Sequence, residues 1–226
     1  MTGKTHRAGG VVAAMVGFTL LQDKGLLFDN INPLVQFAVI YPFAYWGSTA
    51  SDLDHAPESI PSHDVVSKAI NKVLHLTNKI DNGKNIFTGI LNAKHRSWQT
   101  HSIEIFAILL LLLRNILKGD VSGIGEADTV FVSLMLMGVI IGLLAHLILD
   151  VITPSGIVIA TTSLLNKLFK LKLPEKIHLV PNIKFFATGG TWETLIYNIL
   201  NILSVLCFIY LILQYANILP FNISFY

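Results

Sequence analysis

Cysteine and charge are both scarce in this 226-residue chain. Its single cysteine, Cys207, lies inside an apolar stretch, which excludes a disulfide-stapled scaffold and a multi-thiolate zinc site. Charged residues make up 13% of the chain, about half of what soluble domains usually carry. A formal charge of only +2 and the lack of any basic run exclude a nucleic-acid-coating protein, so no nucleic-acid partner is expected. No internal repeat or low-complexity segment is visible either. What is abundant is apolar: 53% of residues are hydrophobic and the mean hydropathy is +0.62. These numbers select a polytopic membrane protein with a single integral domain over residues 1–226.

Five apolar stretches organise the sequence: Val11–Leu21, Ile31–Thr49, Ile103–Ile116, Thr129–Ile152 and Leu195–Leu219. A spanning helix needs about 20 mostly apolar residues. The fourth and fifth stretches qualify outright and the second narrowly. The first and third become long enough only with flanking small or polar residues. The expected fold is therefore all-α, a membrane helical bundle of about four to five transmembrane or membrane-embedded helices. Lys4 and Arg7 ahead of an apolar core also fit the start of a signal peptide. No small-x-small cleavage site follows and Gln22-Asp23-Lys24 comes next, so retention is the expectation.

Charge asymmetry sets the orientation. If all five stretches cross, the N-terminus, residues 50–102 and residues 153–193 share one side and hold thirteen of the sixteen Lys and Arg. Lys24, Arg114 and Lys118 fall opposite. Cationic loops stay cytoplasmic, so the N-terminus and both long loops are expected to face the cytoplasm from a bacterial-type cytoplasmic membrane. Within those loops, Asp64–Ile80 gathers Val66, Ala69, Ile70, Val73 and Leu74 on one helical face, suited to an anionic leaflet or to packing on the bundle. Phe169–Leu173 and Ile177–Leu179 alternate and predict a short hairpin.

The chemistry-bearing residues lie at the ends of the apolar stretches. His146 and Asp150, four apart, share one helical face, and Gly138 and Gly142 continue that stripe so that another helix can approach. An ionisable pair near a membrane is costly unless it is partnered or functional; an interfacial hydrogen-bonded pair is the plainer alternative. Asp52-Leu53-Asp54-His55 offers carboxylates and an imidazole acceptable to zinc, manganese or iron, or simply an acidic turn before Pro57. His95 and His101 bracket Arg96, Trp98 and Thr100. They are two candidate ligands beside a guanidinium able to grip a phosphate, or part of a basic-aromatic interfacial belt. His6, before the first stretch, is a ligand or a flexible terminus, and Glu193, before the fifth, a ligand or a helix-capping carboxylate. His63, His75 and His178 read as structural. On the charge-derived topology the five candidate placements all fall at the cytoplasmic helix ends, as a shared polynuclear metal site requires.

On these residues the sequence resembles the YdjM-type family of membrane-bound, metal-dependent hydrolases, some under LexA control in the SOS response. The resemblance covers about residues 1–195. Its ordered motifs are Thr5-His6 with Gly9, Asp52-Leu53-Asp54-His55, His95-Arg96 with Thr100-His101-Ser102, Gly142 with His146 and Asp150, Thr153-Pro154-Ser155-Gly156, and Gly190 with Glu193. That family is similar, more distantly, to the zinc-dependent phospholipase C and fungal single-strand nuclease fold. The resemblance implies His6, Asp54, His95, His101, His146, Asp150 and Glu193 as ligands of two or three divalent ions, zinc first and manganese second. It implies Asp52 and His55 as ligand, base or support; proximity assigns Asp52 the orienting of a water, and the Arg96 guanidinium can hold a phosphate oxygen. The implied activity is hydrolysis of a phosphoester, in a phospholipid or lipid-linked phosphate, with membrane lipids as partners. A metal transporter or sensor without hydrolysis, or a structural membrane protein with bound metal, are the alternatives. The lack of ionisable residues at the centres of the first, second and fifth stretches weighs against transport.

Overall fold

The computed structural model describes residues 2–54, 65–74, 98–119, 125–153, 156–177, 179 and 188–216. Helix α1 is Gly3–Asp23, and α2, Pro33–Ala50, runs into a 3-10 turn at Ser51–Asp54. Helix α3 is Val65–Leu74; α4, one turn at Trp98–His101, precedes α5, Ile103–Leu117. Helix α6 covers Glu126–Val151. A two-residue strand β1 at Ile157–Val158, helix α7 at Ala160–Phe169 and strand β2 at Lys176–Ile177 lead to α8, Thr191–Tyr215. The all-α expectation holds, and each apolar stretch falls largely on a helix, the fifth as far as Tyr215.

Local chemistry sets the helix starts. Pro33 occupies the first position of α2, where its missing N–H costs nothing, and Asn32 Oδ1 accepts from Leu34 N at 2.8 Å. Ser102 caps α5 in the same way, its Oγ accepting from Ile105 N at 3.3 Å. Helix α1 begins well upstream of its apolar run, so His6 lies within a helix rather than before one. Its first turn is held by hydrogen bonds from Thr2 and Thr5 to Glu193 of α8.

Helix α6 is the centre of the bundle. Helix α2 packs along it most extensively, α1 and α5 lie beside it, and α8 lies on α1. The α2–α6 crossing is backbone against backbone. A Cβ added at Gly138 would stand 2.5 Å from the Ile40 carbonyl oxygen, and one at Gly47 would stand 2.6 Å from the Val139 carbonyl oxygen. Where the solvent is itself apolar, such close approach supplies the dispersion contacts that hold helices together. Met15, Phe18, Ile40, Leu134, Met137 and Leu211 fill the core that α1, α2, α6 and α8 share. Helix α8 turns Ile202, Val205, Leu206 and Phe208 outward, an apolar exterior suited to lipid.

Among the described residues, two helices are long and apolar enough to cross a membrane, over Ala127–Val151 and Thr191–Tyr215, against the four to five expected. Helix α5 has 15 residues, about 22 Å at 1.5 Å per residue, short of a hydrocarbon core of about 30 Å. Helix α1 spends its first turns on polar residues and glycine. The expected hairpin within residues 169–179 is also corrected. Strand β2 pairs antiparallel with β1, Ile157 opposite Ile177. Leu173 cannot pair as a strand residue because Asn166 takes both its backbone groups, Leu173 N donating to Oδ1 and Nδ2 donating to Leu173 O, each at 2.9 Å. Of the helix expected over 64–80, α3 supplies residues 65–74, and residues 64 and 75–80 lie outside the described ones.

Candidate metal centre

The alternating helices bring the starts of α1, α5 and α8 and the ends of α2 and α6 to one end of the bundle. His6 arrives on the second turn of α1, Asp52 on the turn after α2, His101 on the last residue of α4, and His146 and Asp150 on the last turns of α6. His6, His101, His146 and Asp150 are fully buried and Asp52 is 4% exposed. His146 Nε2 lies 3.3 Å from Asp150 Oδ2, His6 Nε2 lies 3.5 Å from Asp150 Oδ1, and His101 Nε2 lies 3.7 Å from Asp150 Oδ2 and 3.8 Å from Asp52 Oδ1. The His6 and His146 rings stack at 3.7 Å, and His101 meets His146 edge-on at 5.1 Å.

These spacings could hold a metal ion. A charge-assisted N–H···O bond closes to about 2.7–2.9 Å, and every one of the four contacts is longer. Two ligands each about 2.0–2.1 Å from a tetrahedral zinc ion stand about 3.3–3.4 Å apart. Among the described residues two groups satisfy ligand spacing, His6 with His146 and Asp150, and Asp52 with His101 and His146, each with its ligand atoms within 4.8 Å of one another. The oxygens of Asp150 face different histidines, Oδ1 toward His6 and Oδ2 toward His101 and His146.

The surrounding shell prepares the donors. His146 Nδ1 donates to the Ser48 carbonyl oxygen at 2.7 Å, the tautomer that leaves Nε2 as the ligating nitrogen of a neutral ring. Among the described residues neither His146 Nε2 nor either nitrogen of His6 has a hydrogen-bond partner. Thr100 Oγ1 lies 2.9 Å from His101 Nδ1 and orients that ring. Burial first, and the adjacent His146 second, hold His6 well below the ordinary histidine range, so the imidazole is neutral and able to ligate. Thr153 closes α6 behind Asp150, its hydroxyl donating to the Asp150 carbonyl at 2.7 Å.

The structure thus brings together His6, Asp52, His101, His146 and Asp150. Asp52 stands among the ligand-spaced atoms rather than apart from them. Glu193, expected as a ligand, has its carboxylate engaged elsewhere: Oε1 accepts from Thr2 Oγ1 at 2.6 Å, from Thr5 Oγ1 at 2.7 Å and from Thr2 N, and Oε2 accepts from Gly189 N at 2.6 Å. It fastens the start of α1, and with it His6. The Asp54 side chain, His55, His95 and Arg96 lie outside the described residues. Two contributors escaped sequence reasoning. The Ser48 carbonyl is a backbone group and leaves no side-chain signature, although the small residues Gly47-Ser48-Thr49-Ala50 mark a close helix approach. Glu104, on the first turn of α5, accepts from Ala160 N at 3.0 Å and from Thr161 N at 2.9 Å, so it caps α7 and ties that segment to the site.

A family model described as YdjM inner membrane protein matches residues 1–218. No curated protein and no solved structure matches the chain.

Proposed function

We propose that this chain, which belongs to the YdjM inner membrane protein family, is a metal-dependent hydrolase of lipid phosphoesters. The observation that carries the reading is the convergence of three buried histidines and two buried aspartates at ligand spacing. In this reading α2, α5 and residues 11–21 of α1 are membrane-embedded beside α6 and α8, and the cluster faces the cytoplasm. The thirteen-to-three division of Lys and Arg supports that sidedness.

His6, His101, His146, Asp52 and Asp150 would hold the metal. A divalent ion bound there supplies Lewis-acid polarisation of a phosphoryl oxygen and a water of lowered pKa, about 7 for zinc. The Ser48 carbonyl and Thr100 keep two of the imidazoles aimed, and burial keeps bulk water away from them. Asp52, the most exposed of the five, is assigned the orientation of the attacking water, and Arg96 the grip on a phosphate oxygen that does not react. An apolar groove of about 420 Å³ between α2, α5 and α6 supports a lipid substrate. Trp46, Leu112, Leu136 and Val139 line it, and Val139 stands about 10 Å along α6 from His146. A hydrocarbon chain in that groove would leave its phosphate end toward the cluster.

Burial of the cluster favours a second reading, a closed structural metal site. The two are separated by reconstituting the protein in nanodiscs with zinc or manganese and following headgroup or phosphate release from phospholipids and long-chain lipid phosphates. Metal-dependent release that His146→Ala abolishes supports the hydrolase. Stoichiometric metal without turnover of any of these substrates puts the structural site ahead.

A further inference from the structure

An amphipathic helix packed on a bundle ordinarily turns its apolar side inward. Over the side chains described, helix α3 departs from this: Val65, Ala69 and Val73 are exposed, Ile70 is half-buried, and the buried residues are Ser67 and Asn71. Trp46 Nε1 donates to Ser67 Oγ at 3.1 Å, and Asn71 Nδ2 donates to the Leu53 carbonyl oxygen. These anchors, one turn apart, fix the rotation of α3 against α2 and against the turn that carries Asp52. At about 100° per residue the outer face then follows: Val65, Ala69 and Val73 form one strip and Lys68 and Lys72 form its edge. All five are exposed, Val65 by 82% and Val73 by 69%.

A surface that matches this face must be apolar and negative at once. An acidic protein patch would meet the lysines and leave the valines in water. A second copy of the chain would set lysine against lysine. An anionic lipid layer meets both, since the acyl boundary takes the valine strip and the headgroup phosphates take the ammonium groups. The lysines at the edge of the strip can reach headgroups while their stems stay on apolar surface.

We propose that α3 docks on an anionic membrane surface, with Val65, Ala69 and Val73 at the acyl boundary and Lys68 and Lys72 among the headgroups. Because Asn71 holds Leu53, this docking fixes the height of the Asp52 turn above the bilayer. The proposal stands apart from the hydrolytic reading, since it needs neither metal nor turnover.

The test uses the full chain with Cys207→Ser, a spin label at Val73→Cys or, separately, at Val65→Cys, and liposomes of phosphatidylcholine with or without phosphatidylglycerol. Collision of each label with oxygen, which concentrates in the bilayer, is compared with collision with a water-soluble nickel complex. Both labels are expected to favour oxygen in the anionic liposomes. Lys68→Gln with Lys72→Gln is expected to lower the docking equilibrium constant about thirty-fold, at about 1 kcal/mol per lysine. Labels that collide mainly with the nickel complex in anionic liposomes overturn the proposal. So does an oxygen preference that ignores both phosphatidylglycerol and the lysines, because the strip would then be covered by something other than anionic lipid. Two label positions guard against one variant failing to fold.

Discussion

Gly142→Ala tests whether the glycine contact between α2 and α6 builds the site. The added Cβ would stand 2.6 Å from Ser48 N and closer still to the Ala44 carbonyl oxygen. Ordinary contact begins at 3.4 Å, so the helices must part by at least about 0.8 Å at Ser48, and both obstacles are backbone that cannot swing aside. Overpacking of this kind costs about 1–3 kcal/mol. Ser48 also supplies the carbonyl that His146 Nδ1 meets at 2.7 Å. The same displacement stretches that bond to about 3.5 Å, beyond useful hydrogen-bond length. Loss of a partner that orients a metal-bound histidine weakens metal affinity by about 10–100-fold. The assay is titration of metal-stripped protein with zinc against a competing fluorescent indicator, alongside thermal unfolding in the same detergent. Gly17→Ala is the control, because its Cβ would meet side-chain and not backbone atoms, Ile141 Cδ1 at 3.0 Å and Cγ1 and Cγ2 at 3.2 Å, and would leave the Ser48 carbonyl where it is. The control is expected to bind zinc like the wild type. Wild-type zinc affinity in Gly142→Ala would refute the reasoning, whatever happened to its stability.

Glu193→Gln is expected to destabilise the protein by about 2–3 kcal/mol, because an amide puts donors where the carboxylate accepts from Thr2, Thr5 and Gly189. Zinc affinity should fall along with it as the start of α1 frays and His6 loses its position; full-strength binding at unchanged stability would show that Glu193 positions nothing. The metal-free protein should lose stability in acid. His6 is neutral in the fold well below the pH at which the unfolded chain protonates it, near 6.5. Stability is therefore level above about pH 6.5 from this group and falls by up to about 1.4 kcal/mol per pH unit below it, until the folded-state value is reached. Denaturant titrations between pH 8 and pH 5 check this, and a flat profile would contradict the buried neutral imidazole. With metal bound the acid loss should be steeper, since protons compete for the same nitrogens.

Much of this architecture was legible in residue order. Long apolar runs with Lys and Arg concentrated in alternate loops already bring His6, Asp52, His101, His146 and Asp150 to one end of an antiparallel bundle. The i, i+4 spacing of His146 and Asp150, with Gly138 and Gly142 on the same stripe, located both the site and the helix approach behind it. What could not be read depends on tertiary contact. Glu193 looks alike as a ligand and as a clamp until Thr2 and Thr5 are seen against it. Residues 3–10 carry too little apolar character to signal helix, and they become helical because Glu193 holds their start and glycines at 9 and 10 let them lie against Leu149 and Ser48. The strand pairing of Lys176 with Val158 defeats local alternation because Asn166 has already satisfied Leu173. The outward valines of α3 follow from two polar anchors, Ser67 and Asn71, which an apolar periodicity does not weigh.

The central claim is that the buried cluster holds metal. Elemental analysis of protein purified in mild detergent without chelators, wild type beside Asp150→Ala, tests it most directly. The account predicts about two zinc or manganese ions per wild-type chain, and fewer in a variant that still elutes as the folded protein. A wild-type chain that holds no stoichiometric metal, even after incubation with zinc and with manganese, would contradict it.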